Sequence, residues 1–343
     1  MHVHVSNSLR RCVKILNISL ITGLMFVFIG CNDDDEPSPS SGNANANTRL
    51  VGTANIRSNG EVVRLGSAMA VNEGHVVMAV SEGNINLNAV TARMEIPQLR
   101  GGDNNLFIVH TVSNDVNYCI EWNYTLRAQR WSAFRWDRSN SGGNAGYSGN
   151  FQEDPLIPAP YRTTLNDHYA NGYDRGHIVG SADRQRTWEA NEQTFYLSNM
   201  QPQLRGFNSK KNGGYSIWYN LENRLRNTYN QDSFRDTLYV VKGGTIGDGQ
   251  YTTTKNQLPV PKYFFMALLR KRNDISVNGG YAAIGFYMEH KEHTGSSNDT
   301  NFEKYAVSIK RLEELTQIDF FCNLPDAIEH EVESSYSSVV WLR

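Results

Sequence analysis

Cysteine is scarce in this chain. Its 343 residues include four, Cys12, Cys31, Cys119 and Cys322, with no CxxC and no Cys/His spacing, so neither a zinc finger nor a redox dithiol is expected. An excess of charge is missing too. Lys and Arg number 33 against 35 Asp and Glu, a formal net charge of −2, so no global positive field attracts a polyanion or an anionic surface. Any polyanion site has to be made locally. There is no internal repeat, and the composition excludes wholesale disorder, collagen and coiled coil. With 39% hydrophobic and 11% aromatic residues, the chain can bury one large core or two modest ones.

Long apolar runs are nearly absent as well. The stretch Ile15 to Gly30, broken by Asn17, Ser19 and Thr22, is short for a membrane span. Behind Arg10, Arg11 and Lys14 it reads as the apolar region of a signal peptide. It ends Phe28-Ile29-Gly30-Cys31, which resembles a bacterial lipobox. Residues 1–30 are therefore expected to be cut away and Cys31 to carry a lipid, making the protein an exported outer-membrane lipoprotein held to the membrane by that lipid. A signal anchor with a chance cysteine is the alternative. The acidic run Asn32 to Glu36 and the Pro/Ser/Gly/Asn-rich stretch behind it, within residues 31–49, read as a disordered tether. An acidic run in that place resembles an export signal to the cell surface. Cys119 and Cys322 then remain, as a disulfide or as two buried thiols.

Residues 50–103 carry short alternating runs, Glu61 to Leu65 and His75 to Val80, between glycines. They read as a small β-rich region, either its own module or an extension of a larger sheet. From residue 104 onward strand signals recur at Leu106–His110, Tyr118–Trp122, Arg130–Phe134, Thr237–Lys242, Tyr263–Leu269 and Ala282–Met288. Trp218–Arg226 and Ile309–Leu315 have helical periodicity. The fold class is α+β, with a mixed, largely antiparallel sheet.

One ordered set of polar residues stands out: Tyr173-Asp174-Arg175-Gly176-His177, then Tyr196 to Gln203, then Gly206-Phe207-Asn208, then Trp218-Tyr219-Asn220-Leu221-Glu222. These residues resemble the DNA/RNA non-specific endonucleases, the ββα-metal family that includes mitochondrial endonuclease G. The likeness extends to Phe151–Pro155, Val260–Phe264 and Leu315–Pro325, and so over residues 104–343. It implies a ββα-metal active site inserted in the α+β fold, DNA and RNA as substrates, a divalent cation such as Mg²⁺ or Mn²⁺, and 5′-phosphate products.

Hydrolysis of a phosphodiester asks for a base, a cation and donors matched to growing charge. A neutral histidine suits the first task, and His177 is the candidate. The resemblance places the metal on Asn208, whose single amide oxygen leaves a Mg²⁺ most of its waters. Glu222 then orients or accepts from that water. Arg175 offers a planar fork for phosphate, and Arg205 is a second substrate-binding candidate. Gly176 is expected to allow a tight turn between Arg175 and His177. Asp174 is expected to hold a neighbouring loop.

Nine residues, Ser209 to Ile217, separate Asn208 from Trp218, a longer spacing than the family's, and Asn212 in that insert is a rival ligand. Arg138 is the nearest match to a further active-site arginine. Arg162, Arg184, Arg186, Arg205, Lys210, Lys211, Arg224 and Arg226 could supply a local phosphate-binding field, or simply line solvated faces. His290-Lys291-Glu292-His293 lacks zinc-protease spacing and reads as a polar loop. No base-reading motif is present. The rival functions are a nucleic-acid-capturing lipoprotein whose insert has spoiled the metal site, and a phosphodiesterase on small esters. A homodimer is left open.

Overall fold

A computed structural model describes residues 63–64, 76–81, 85–169 and 172–343. The expected signal peptide, the expected lipidation site Cys31 and the expected tether lie outside the described residues. A nine-stranded sheet organises the rest. In chain order its members are β1 (Val63–Arg64), β2 (Val77–Val80), β3 (Asn105–Val112), β4 (Asp115–Asn123) and β5 (Ala128–Asp137). Three short hairpins intervene: β6 (Asp174–His177) with β7 (Met200–Gln203), β8 (Lys210–Lys211) with β9 (Gly214–Tyr215), and β11 (Tyr251–Thr253) with β12 (Pro259–Pro261). The sheet is completed by β10 (Thr237–Gly244), β13 (Tyr263–Lys271), β14 (Tyr281–Glu289) and β15 (Ala306–Val307). Its spatial order is β1-β2-β3-β4-β5-β10-β13-β14-β15, antiparallel throughout except for the parallel pair β2 and β3. The residues before 104 thus extend the main sheet through β1 and β2.

Both faces of the sheet are covered, which is why its central strands read as unbroken apolar runs rather than as clean alternation. The period of two still sorts the side chains. Leu106, Ile108, Leu238, Val240, Phe264, Met266 and Leu268 pack on one face with Trp218, Leu221 and Leu225. Phe107, Val109, Val241, Phe265, Ala267 and Leu269 point to the other face and meet Ile309, Leu312 and Val332 of the C-terminal helices and Phe320 from the segment between them. The helix Ile217–Arg224 therefore lies over the first face, and Ile309–Thr316 and Asp326–Ser334 lie over the second.

Local chemistry starts both covering helices. Ser216 accepts from the Tyr219 N–H at 3.2 Å and Ser308 from the Arg311 N–H at 3.1 Å, each satisfying an orphan donor of the first turn. Trp218 is fully buried, and burial of a side chain that large contributes roughly 3 kcal/mol to anchoring the first helix. Cys119 and Cys322 are buried thiols, with no disulfide between them.

Candidate active site

The site grows from the β6–β7 hairpin, in which Asp174 faces Gln203 and His177 faces Met200. Alternation puts Arg175 and His177 on one side of β6 and Asp174 and Gly176 on the other. Gly176 sits in extended strand, outside the left-handed region, so the expected tight turn is absent. Its reason is a close approach: a Cβ there would run into the Gln203 side chain. Beyond His177 the chain is clamped by buried Asn199. The Val179 N–H donates to Asn199 Oδ1 at 2.9 Å, and Asn199 Nδ2 donates to the Val179 carbonyl at 2.9 Å and the Thr194 carbonyl at 2.8 Å.

The His177 imidazole is cradled by two rings, Phe195 edge-on at 4.8 Å between centroids and Phe151 at 5.8 Å. Its Nε2 is buried without a hydrogen-bond partner. Burial, then the positive charges of Lys242 and Arg175, push its pKa down to about 4 against the opposing pull of Asp183. The ring is therefore neutral at physiological pH, with a lone pair to offer. Arg175 lies over Phe151, its guanidinium carbon 4.1 Å from the ring centroid. Its neighbour Asp174 pairs with Arg205 instead, and among the described residues no carboxylate pairs with Arg175, which leaves its fork free for an anion.

Asn208 ends the short helix Arg205–Asn208 that follows β7. Its Nδ2 donates to Asp174 Oδ2 at 3.2 Å. A carboxylate can only accept, so the amide nitrogen must face it and the amide oxygen is left for another partner. Asp174 thus ties the strand of His177 to the helix of Asn208, the structural role expected of it. Arg205 is largely exposed and lies 3.5 Å from Asp174 Oδ1. Asn212 is elsewhere. With Gly213 it makes the two-residue turn of the β8–β9 hairpin, φ 53° and 99°, exposed at its tip. The insert closes on itself as the β8–β9 hairpin, after the helix that Asn208 ends.

Glu222 shares the helix Ile217–Arg224 with Trp218, one turn apart, and its Oε1 accepts from Lys242 Nζ at 2.5 Å. Lys242 is wholly buried, 5.1 Å over the Trp218 ring and 3.8 Å from Asp183 Oδ2. Asp183 in turn meets Arg226 at 3.0 Å. Burial raises the Asp183 pKa, but Lys242 and Arg226 outweigh it and hold the carboxyl below its ordinary value. Two acids and two bases alternate in this chain beneath the site, leaving it neutral as a unit. Motif reading missed Lys242 and Asp183. A signal existed: Lys242 continues the inward phase of Leu238 and Val240, where a lone charge needs partners.

Half of the proposed phosphate field is corrected by the structure. Arg184 is buried and stacked on Phe134 at 4.1 Å, Arg226 is spent on Asp183, and Arg162 and Arg224 donate to backbone carbonyls. Arg186, Arg205 and Lys210 remain exposed, while Lys211 pairs with Glu292 at 3.0 Å. Arg138 reaches Asp232 at 3.2 Å instead of the site. The loop after β14 holds His290 and His293 apart on different backbone partners, Leu204 and Ser297.

Comparison with known proteins bears on the family and the fold. A family model described as DNA/RNA non-specific endonuclease matches residues 103–327. A nuclease of Nostoc sp. (strain PCC 7120 / SAG 25.82 / UTEX 2576) is 31% identical over 63% of this chain and 75% of its own. Nuclease C1 of Cunninghamella echinulata var. echinulata is 31% identical over 59% and 81%. The mitochondrial nuclease EXOG of Homo sapiens is 26% identical over 61% and 56%. Among solved structures, EndoG in its complex with EndoGI is similar in fold, with a TM-score of 0.52 and 22% identity over 63% of this chain and 86% of that one.

Proposed function

Because this chain belongs to the DNA/RNA non-specific endonuclease family, we propose that it hydrolyses nucleic-acid phosphodiesters with His177 as general base and a divalent cation on Asn208. The activity is that of a nuclease hydrolase acting on DNA and RNA. The observation that supports the site reading is the tie between Asp174 and Asn208, which engages the amide nitrogen and leaves one neutral amide oxygen for another partner. Among the described residues no three His, Cys, Asp or Glu side chains gather where they could hold an ion. A single amide oxygen fits a hard cation that keeps most of its waters, Mg²⁺ with Mn²⁺ as substitute. Such an ion supplies positive charge to the non-bridging and departing oxygens of the phosphodiester.

The residues of the chain do the rest. With Nε2 of His177 buried, Nδ1 is the nitrogen a water can reach. It takes the water's proton as the oxygen attacks phosphorus in line; the bond to the 3′ oxygen breaks and that oxygen takes a proton from solvent water, leaving a 5′-phosphate and a 3′-hydroxyl. Arg175, braced on Phe151, donates to the phosphate oxygens as their charge grows. Arg205, on the rim, contacts a neighbouring phosphate. Glu222, held in place by the Lys242 ammonium, orients water at the site. These contacts go to the sugar-phosphate backbone, which accords with the lack of a base-reading motif.

Residues 1–36 support export as a lipid-anchored outer-membrane protein, exposed at the cell surface, with Cys31 as the lipidated residue. Protease shaving of intact cells tests that placement, and full protection of the protein would refute it. For the chemistry, the purified protein is incubated with supercoiled plasmid and with total RNA, in Mg²⁺ and in EDTA, beside His177→Ala. Metal-dependent loss of both substrates that vanishes in the variant is expected. Plasmid bound but intact at every Mg²⁺ and Mn²⁺ level would instead favour capture without cleavage.

A further inference from the structure

The loop after β14, with its His290-Lys291-Glu292-His293 run, has no part in the reaction as drawn, yet it is bonded to the segment that carries Asn208. His290 Nδ1 lies 2.8 Å from the Pro261 carbonyl, to which it must donate, so Nε2 is an acceptor; it receives the Leu204 N–H at 2.8 Å. Glu292 Oε2 accepts from the Gly206 N–H at 2.9 Å. These two N–H groups belong to the start of the Arg205–Asn208 helix, where no intrahelical acceptor exists for them. A Cβ on Gly206 would run into the Glu292 carboxylate, so the contact is close enough to require glycine. The same loop grips the other end of the segment. Asn298 accepts from the Tyr215 N–H at 3.0 Å, and the Asp299 N–H donates to the Tyr215 carbonyl at 3.0 Å. The insert after Asn208 is therefore fastened on its far side as well.

We propose that residues 290–299 form a strap that sets the position of Asn208 and that His290 and Glu292 are positioning residues for the metal. This rests on the reading of Asn208 as the ligand. A four-residue helix has too few internal bonds to hold itself, so its register relative to β6 is set by what its orphan N–H groups meet. Asp174 aims the Asn208 side chain; the strap fixes the backbone from which that side chain extends. Removal of an outer-shell partner of a metal ligand typically weakens metal affinity by about 10- to 100-fold.

The test is direct Mn²⁺ binding to the metal-free protein by electron paramagnetic resonance, alongside the Mg²⁺ concentration for half-maximal plasmid cleavage and a thermal melt. Glu292→Ala should weaken Mn²⁺ binding about tenfold and raise the half-saturating Mg²⁺ by the same factor, with cleavage largely recovered at saturating metal. Glu292→Gln keeps an oxygen for the Gly206 N–H and should bind Mn²⁺ as the parent does. So should Lys211→Ala, which removes only the ion pair. Gly206→Ala disturbs the same contact from the other side, so the double variant with Glu292→Ala should lose little beyond either single change. Parental Mn²⁺ affinity in folded Glu292→Ala, or additive losses in the double variant, would overturn the strap; should one single variant fail to fold, the other decides. Asn208→Ala separates the two readings. Parental Mn²⁺ affinity there refutes the ligand assignment itself, whereas its loss there combined with parental affinity in Glu292→Ala refutes only the strap.

Discussion

Replacing Lys242 with methionine tests the electrostatics of the site in two independent ways. Methionine keeps an unbranched, flexible side chain of similar reach in a position that is fully buried. The ammonium it removes contacts Glu222 at 2.5 Å and lies 3.8 Å from Asp183. Removing one partner of a buried ion pair costs about 3–5 kcal/mol, because the other charge stays buried. Asp183 retains Arg226 at 3.0 Å and the Gly180 N–H at 3.0 Å, and Glu222 retains some access to water, so the lower end applies, about 3 kcal/mol. For a domain of this size that is a fall in Tm of roughly 6–12 °C. The second effect is on His177. Lys242 helps to hold its pKa near 4, so without that charge the imidazole gains protons at higher pH. The acid limb of kcat/KM, which reports the free enzyme, should move upward toward the ordinary histidine value of about 6.5. Thermal melts and kcat/KM against pH on a defined oligonucleotide read both. A variant that melts within about 2 °C of the parent and keeps the parental acid limb would refute this account of the buried network.

Four further outcomes follow from the geometry. Asn208→Ala should abolish metal-dependent cleavage, whereas Asn212→Ala, at a hairpin tip, should be mild; plasmid-nicking assays that rank them the other way would move the ligand. Gly176→Ala should destabilise by about 1–3 kcal/mol through the clash with Gln203, visible in a urea titration. Buried His168, with its pKa pushed down to about 4 chiefly by burial, refuses a proton that the unfolded chain accepts near pH 6.5. Stability should therefore drop as pH falls from about 6.5 to 4, by up to about 3 kcal/mol from this residue, and His168→Gln should flatten that slope in denaturant titrations. Glu333 behaves in the opposite sense. Burial, with Glu313, Glu329 and Asp319 nearby, raises its pKa to about 10, so stability is lost as pH rises above the unfolded value near 4.5. Glu333→Gln should gain up to about 3 kcal/mol at pH 7 and nothing at pH 4.5.

The strands of the main sheet were legible because a sheet covered on both faces demands continuous β-branched and aromatic runs; Leu106–His110 and Tyr263–Leu269 could hardly be anything else. Their order was not. The sheet places β10 beside β5, with the whole β6–β7 hairpin and the helix Ile217–Arg224 inserted between them in sequence, and no local pattern encodes a pairing decided by tertiary burial. The short helix Trp188–Gln193 also escaped, since its outward Trp188 and buried Asn191 reverse the usual amphipathic signal.

At the site the division has the same origin. His177, Arg175, Asn208 and Glu222 could be singled out because they come in a recognisable order. The groups that set their chemistry could not, because each arrives from a different part of the chain: Phe151 and Phe195 around the imidazole, Lys242 under Glu222, Glu292 on the helix of Asn208. Gly176 shows the limit most plainly. A glycine before a histidine invites a turn, yet its backbone is extended and the need for it lies across the hairpin in Gln203. The insert after Asn208 makes the complementary point. The extra residues close on themselves as β8 and β9 and are fastened from outside through Tyr215, and only the structure shows the fastening.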